Sequence, residues 1–174
     1  MTALLYPFIV LSAMGLILSL IVHTSALLGR DLGFGQAVWA LHIGIFAVWL
    51  PTVLVLRNTT KDFKQRDLWK AALRGCPDWM RKMTYGFFGY AIVNFAIFMF
   101  STINHPGSNS GAPTPAVLRG FSGHWMAFYS AALSTLYSAT RVKDADAGRR
   151  CQNGHLVSPM AKYCEECGAS VPQR

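Results

Sequence analysis

Four long stretches without a charged side chain decide what this chain can fold into. They cover residues 3–22, 36–56, 84–103 and 121–140, and each is about twenty residues long. An α-helix of that length crosses the hydrocarbon core of a bilayer, which is about 30 Å thick. Because none of the four contains Asp, Glu, Lys or Arg, the sequence predicts four transmembrane helices.

The composition excludes the common soluble classes of protein. Hydrophobic residues make up 52% of the chain and charged residues only 14%, whereas about a quarter of the residues in an ordinary globular domain are charged. Disorder, a disulfide-stapled secreted module and a typical soluble enzyme are therefore excluded. The first stretch has no basic leader and is longer than the roughly 7–15 apolar residues of a cleavable signal, so we expect it to be retained.

The sixteen basic residues are distributed unevenly around the four stretches. Eight lie in the segment 57–83 and six follow the fourth stretch, whereas only Arg30 and Arg119 fall on the opposite side. The positive-inside rule then predicts a multi-pass protein of the cell's inner (cytoplasmic) membrane, with both termini in the cytoplasm. The net charge of +8 faces anionic lipid in this arrangement, and no nucleic-acid partner is expected.

The basic segment 57–83 is long enough to contain an element of its own. Thr59 or Thr60 can cap a helix that runs to about Arg74, and the Gly-Cys-Pro sequence at 75–77 would end it. The sequence favours a helix that lies in the headgroup plane, although a solvated connector remains an alternative. Three residues form the apolar face of such a helix: Phe63, Trp69 and Leu73.

The clearest motif follows the fourth stretch, beyond a short linker at 142–150. Cys151 and His155 are spaced Cys-x3-His, and after eight residues Cys164 and Cys167 are spaced Cys-x2-Cys. Three thiolates and one imidazole complete the tetrahedral shell of a zinc ion and leave no open position for a substrate. A disulfide is the competing interpretation, and it conflicts with the predicted location of the tail in a reducing compartment.

With Gly154 before His155 and Gly168 after Cys167, the segment 151–171 resembles a zinc ribbon, in the short form found at the ends of many bacterial proteins. The commoner ribbon has Cys-x2-Cys in its first half as well, where this chain has Gly-His. The resemblance implies a structural zinc ion in a small domain covering 151–174. Since the basic and acidic side chains of this domain cancel, we expect it to contact protein and not nucleic acid.

Four histidines reveal a weak internal repeat. His23 and His105 are 82 residues apart, as are His42 and His124. The repeat predicts two similar helical hairpins, arranged in parallel, with the four imidazoles near the outer face of the bundle. Such histidines can bind haem b, another tetrapyrrole or a metal ion. The alternative is that they are structural and form hydrogen bonds between helices.

The fourth stretch carries a face of small residues. Ser130, Ser134 and Ser138 recur at every fourth position, and small residues in that pattern allow helices to approach closely. The predicted fold is therefore all-α. It comprises a four-transmembrane-helix bundle of two hairpins (1–141), the linker (142–150) and the C-terminal zinc ribbon (151–174).

The sequence favours a small integral-membrane subunit of a larger membrane protein complex, whose cytoplasmic zinc ribbon mediates contact with other subunits. One alternative is an electron-transfer module that binds b-type haem or a metal through the histidine pairs His42 with His124 and His23 with His105. Another is a membrane sensor that signals to the ribbon. An enzyme is not expected, because every acidic residue lies outside the four stretches and no phosphate-binding loop or nucleophile motif is present.

Overall fold

The described part of the chain is built almost entirely from helices. The computed structural model describes residues 2–30, 32–61, 63–104, 114–147, 150–157 and 161–171. Four long helices are joined by short segments, one of which contains a fifth, short helix. The helices are α1 (Tyr6–Leu27), α2 (Ala40–Thr60), α3 (Leu68–Ala72), α4 (Asp78–Asn104) and α5 (Pro115–Ala147), with 3-10 turns at Thr2–Leu5, Gly35–Trp39 and Gln65–Asp67.

Three helical segments are long and apolar enough to cross a membrane: Tyr6–Leu27, Gly35–Thr60 and Asp78–Ser101. This confirms the prediction of membrane-spanning helices over the first three apolar stretches. The helix over the fourth stretch, α5, has 33 residues and is also long enough. Its residues are more polar on average than those of α1, α2 and α4.

The polarity of α5 has a structural explanation, because this helix is covered by the other three long helices. It packs extensively against α1 and α4 and less extensively against α2. The side chains of Ser130, Ser134 and Ser138 are fully buried, as expected for a small-residue packing face. A helix surrounded by protein does not need the hydropathy of one surrounded by lipid, so α5 can carry many hydroxyl groups.

The outer surfaces of α1, α2 and α4 are strongly apolar. On α2, Ile43 and Phe46 are each 69% exposed, and on α4 Phe100 has the same exposed fraction. Contiguous apolar surface of this extent is unfavourable in water and normal in a bilayer. The distribution of side chains therefore agrees with a bundle that has lipid as its solvent.

The two hairpins of the bundle are not equivalent in their packing. The repeat relates α2 to α5 and would give them similar surroundings. Instead α5 is buried along much of its length, whereas α2 exposes large apolar side chains. The repeat of His42 at His124 therefore does not extend to the packing of the two helices. His105, which completes the other pair, lies outside the described residues.

The segment between α2 and α4 differs from the single helix expected over 59–74. The hydroxyl of Thr60 donates a hydrogen bond to Leu56 O at 2.7 Å, so Thr60 belongs to the last turn of α2 and does not cap a new helix. Arg74 Nη1 instead donates to Thr59 O at 3.0 Å and to Ala71 O at 2.8 Å. Because these carbonyls lie in the last turns of α2 and α3, one guanidinium satisfies both helix ends.

Candidate metal centre and the histidines of the bundle

The first half of the metal centre is a tight turn that carries Cys151 and His155. Gly154 N donates to Cys151 O at 3.0 Å, and Cys151 N donates to His155 O at 3.0 Å. Gly154 has a φ of 83°, a conformation that glycine adopts without the steric cost of a Cβ. The antiparallel bridge between Arg150 and Leu156 closes the base of this turn. Both ligands are therefore fixed by backbone hydrogen bonds.

The second half repeats this arrangement with Cys164 and Cys167. Gly168 N donates to Cys164 O at 2.9 Å, and Cys164 N donates to Ala169 O at 2.8 Å. Gly168 has a φ of 70°, so this turn also depends on glycine. A bridge between Tyr163 and Ser170 closes its base.

The two turns bring the four predicted ligands together. The ligand atoms of Cys151, His155, Cys164 and Cys167 all lie within 4.8 Å of one another. Cys151 Sγ is 3.7 Å from Cys167 Sγ, and Cys164 Sγ is 3.7 Å from His155 Nδ1. Thiolates bound tetrahedrally at about 2.3 Å from a metal ion would be about 3.8 Å apart. The cluster therefore has the dimensions of a four-coordinate metal site.

The cysteines of the cluster are not joined by a disulfide. All four cysteines of the chain are free thiols. One of them, Cys76, is buried and lies outside the cluster. This agrees with the metal-binding interpretation and not with the competing disulfide. Among the described residues of the tail, the hydrophobic contacts around the cluster are few: Val157, Val171 and Ala161 pack against Cys151 and Cys164.

The surroundings of the cluster act differently on its thiols, because burial raises the pKa of Cys164. A hydrogen bond from the Ala169 backbone N–H lowers the pKa of Cys167 to about 6, so this thiol is mostly ionised at neutral pH. His155 directs Nδ1 toward the cluster, while its Nε2 lies 3.7 Å from Glu166 Oε2. A carboxylate beside the second ring nitrogen commonly orients a metal-bound histidine.

Among the histidines of the bundle, His23 is fully engaged by two hydroxyl groups. Its Nδ1 lies 2.7 Å from Ser122 Oγ and its Nε2 lies 2.5 Å from Tyr90 Oη. Ser122 Oγ is also 2.6 Å from Leu118 O, a separation that requires the hydroxyl hydrogen between them. Ser122 can then only accept from His23 Nδ1–H, so Tyr90 donates to Nε2.

This chain of hydrogen bonds makes His23 a structural residue that links α1, α4 and α5. Only 4% of the residue is exposed, and neither ring nitrogen has a lone pair left for a metal ion. The structure therefore gives no support to His23 as a haem ligand and agrees with the alternative of a histidine that bonds across helices.

His42 and His124 lie in one aromatic cluster, which also contains Phe121 and Trp125. Trp125 Nε1 donates to His42 Nδ1 at 3.0 Å, which places the proton of a neutral His42 ring on Nε2. The ring of Phe121 lies 6.2 Å from the His42 ring and 5.6 Å from the His124 ring, measured between centroids. An aromatic side chain thus contacts both imidazoles of the proposed ligand pair. His105 cannot be placed, since it lies outside the described residues.

Sequence reasoning did not identify the partners of these histidines. Tyr90 is 67 residues and Ser122 is 99 residues away from His23 in the chain. Contacts between residues so far apart cannot be predicted from a short sequence pattern. It also missed Tyr129, whose hydroxyl donates to Leu41 O at 2.7 Å. A Cβ on Gly15 would overlap the Tyr129 ring, and one on Gly44 would lie 2.5 Å from its hydroxyl oxygen, so these two glycines are the available signals.

The comparisons with known proteins found no match to this chain among protein-family models, curated proteins or solved structures.

Proposed function

We propose that this protein is a small integral subunit of a larger membrane protein complex and that its cytoplasmic tail is a zinc ribbon that contacts another subunit. The observation that supports the proposal most directly is the cluster of Cys151, His155, Cys164 and Cys167, whose ligand atoms lie within 4.8 Å of one another. It lies on the same chain as three helices that could cross a membrane.

The chemistry of the ligand set favours zinc. Three sulfur ligands and one imidazole suit a borderline-soft ion with a preference for tetrahedral geometry. Four protein ligands leave no position for water or substrate, so zinc would stabilise the tail and would not catalyse a reaction. Within 150–157 and 161–171, the hydrophobic contacts around the cluster are too few to fold a segment of this size. Metal binding would therefore supply most of the folding free energy of the ribbon.

Two observations support α5 as the fourth membrane crossing. The helix is about 50 Å long at 1.5 Å per residue, which exceeds the thickness of the hydrocarbon core. It also packs against the three apolar helices, so it lies among segments that would be embedded in lipid. Four crossings place the segment 57–83 and the tail on one side, where fourteen of the sixteen basic residues then lie.

Exposed apolar side chains support a protein contact through the ribbon. Leu156 is 61% exposed and Tyr163 is 66% exposed, and each lies in one of the two bridges that close the metal-binding turns. Lys162 is close in sequence to Glu165 and Glu166, so no basic face suited to nucleic acid is present among these side chains. A small apolar surface on a rigid metal-stabilised turn suits a protein partner.

The test is purification of the protein from its native membrane in a mild detergent, followed by elemental analysis and native mass spectrometry. We expect about one zinc ion per chain and co-purification with other membrane subunits. Isolation as a lone monomer would contradict the subunit proposal. A Soret band in the absorption spectrum would favour the electron-transfer alternative, and iron in place of zinc in the tail would contradict the assignment of the metal.

A further inference from the structure

We infer that the segment between α2 and α4, which contains α3, forms a binding surface for anionic phospholipid headgroups together with the first turns of α4. The inference rests on the proposed insertion of the bundle into a membrane. The surface is defined by four lysines and three aromatic residues: Lys61, Lys64, Lys70, Lys82, Trp69, Trp79 and Tyr85. We refer to it as the basic-aromatic surface.

The segment that carries this surface is fixed to the end of the bundle. Leu73 is fully buried. Gly75 N donates to Ser138 Oγ at 3.0 Å, and Cys76 Sγ donates to Ser134 O at 3.1 Å. A Cβ on Gly75 would lie 2.5 Å from Ser138 O, so the chain between α3 and α4 runs directly against the α5 backbone. The surface is therefore presented in a defined position and not on a free loop.

The contacts of Trp69 indicate the depth of α3 relative to the apolar part of the bundle. Its ring lies 5.9 Å from the ring of Phe88, measured between centroids. Phe88 lies ten residues into α4, about 15 Å from the start of the helix, and belongs to the predicted apolar stretch 84–103. Since Trp69 reaches this level, α3 lies where the headgroup region meets the hydrocarbon core.

The charge of the surface is positive and available to solvent. The four lysines are exposed, and within the described residues none of them forms an ion pair. The two described acidic residues of the segment are matched locally: Asp67 lies 3.5 Å from Arg66 Nε, and Asp78 lies 2.8 Å from Arg81 Nη2. They therefore do not neutralise the lysines, whose charge remains free to attract a negative partner.

Exposed aromatic side chains accompany these charges. Trp69 is 38% exposed, Trp79 is 63% exposed and Tyr85 is 49% exposed. Tryptophan and tyrosine with one polar edge prefer the headgroup level of a bilayer. Lysines beside such residues at the cytoplasmic leaflet attract anionic lipids. Lipid is therefore the occupant that fits both the charge and the aromatic character, whereas an acidic protein partner would explain the charge alone.

The experiment compares lipid retention by matched variants. The protein is reconstituted in nanodiscs of 70% phosphatidylcholine and 30% phosphatidylglycerol, and native mass spectrometry after release measures which lipid stays bound. We expect phosphatidylglycerol to be enriched in the wild type. The variant Lys64→Gln/Lys70→Gln should reduce this enrichment by about twenty-five-fold, because each basic residue near an anionic membrane surface contributes about fivefold. Added salt should weaken the enrichment in the wild type.

The matched control is Arg30→Gln/Lys162→Gln, which removes the same charge at two exposed positions outside the surface and should retain the wild-type enrichment. The inference fails if the Lys64 and Lys70 variant binds phosphatidylglycerol like the wild type, or if the control loses as much. It also fails if wild-type enrichment is unchanged between low and high salt, a result that does not depend on any variant folding. If the Lys64 and Lys70 variant loses a protein partner but keeps its bound phosphatidylglycerol, the surface is a protein contact and the inference is wrong. Failure of membrane insertion would appear separately, as protein that remains soluble without detergent or nanodiscs.

Discussion

At the level of single side chains, Tyr129 connects α5 to α1 and α2. Its ring occupies the space left by the missing side chain of Gly15, and its hydroxyl donates to Leu41 O at 2.7 Å. A Cβ on Gly44 would lie 2.5 Å from the Tyr129 hydroxyl oxygen. Two glycines, one on each neighbouring helix, therefore create the slot in which this residue is buried.

This arrangement predicts that Gly15→Ala destabilises the bundle. The new methyl group would displace the Tyr129 ring, and overpacking of this kind costs about 1–3 kcal/mol. The measurement is the unfolding midpoint in detergent micelles as SDS is added. Gly86→Ala is the control, because a Cβ at Gly86 meets no atom within 4 Å, and it should leave stability unchanged or slightly raised.

A double-mutant cycle identifies the cause of the effect. In a Tyr129→Ala background the space is open, so Gly15→Ala should no longer destabilise the protein. If Gly15→Ala costs the same in both backgrounds, the glycine is needed for a reason other than the tyrosine.

At the level of elements, the ribbon and the bundle should behave as separate units. We expect Cys164→Ser to release the bound metal and to leave the helices inserted in the membrane. Three remaining ligands bind the ion much more weakly, and the core that the described residues of the tail form is small. The readouts are zinc content after purification and the fraction of protein that stays with membranes after alkaline washing.

Cys76→Ser provides the matched control for this experiment. Cys76 is a buried thiol beside Ser134 and outside the metal cluster, so its replacement should leave one metal ion per chain. Loss of membrane insertion in the Cys164 variant would contradict the separation of the two units. Retention of full zinc content in that variant would show that Cys164 is not a ligand.

The cluster of Cys151, His155, Cys164 and Cys167 could be predicted from the sequence because the pattern that specifies it is local. Each pair of ligands sits in one short turn, and Gly154 and Gly168 mark the positions where the backbone requires a positive φ. The apolar stretches also predicted the positions of α1, α2 and α4. In contrast, the helix expected over 59–74 was wrong, because α2 continues to Thr60 and the backbone is extended at Lys64. Thr59 O at the end of α2 accepts a hydrogen bond from Arg74, which lies beyond α3. Contacts of that kind cannot be read from helix-capping patterns alone.

The environment of the histidines was the least predictable part of the site. The sequence showed that His23 and His42 lie in apolar helices. It did not show which groups form hydrogen bonds with their ring nitrogens. Those groups, Tyr90, Ser122 and Trp125, are on α4 and α5 and are brought close only by helix packing. The 82-residue repeat suggested a common role for the histidines, whereas the contacts give His23 and His42 different partners.

At the level of the whole molecule, the position of α5 explains why hydropathy and charge suggest different numbers of crossings. Hydropathy identifies three helices, since α5 is covered by protein and carries buried serines in place of large apolar side chains. The distribution of basic residues is most uneven if α5 also crosses, because the six that follow its apolar stretch 121–140 then join the eight in segment 57–83. The residues of a helix inside a bundle are selected by how closely the neighbouring helices pack, whereas those of a helix in contact with lipid are selected for hydrophobicity.

Reporter fusions can decide whether α5 crosses the membrane. Alkaline phosphatase is active only outside the cytoplasm, so a fusion after Ser101 should be active if the first three apolar helices cross from a cytoplasmic N-terminus. A fusion after Arg174 should be inactive, because α5 returns the chain to the cytoplasm, and a fluorescent protein at the same site should fluoresce. The two fusion sites differ only by α5 and the segments beside it. An active phosphatase after Arg174 would mean three crossings, and it would place the cysteine cluster in an oxidising compartment where a reduced zinc site is not expected.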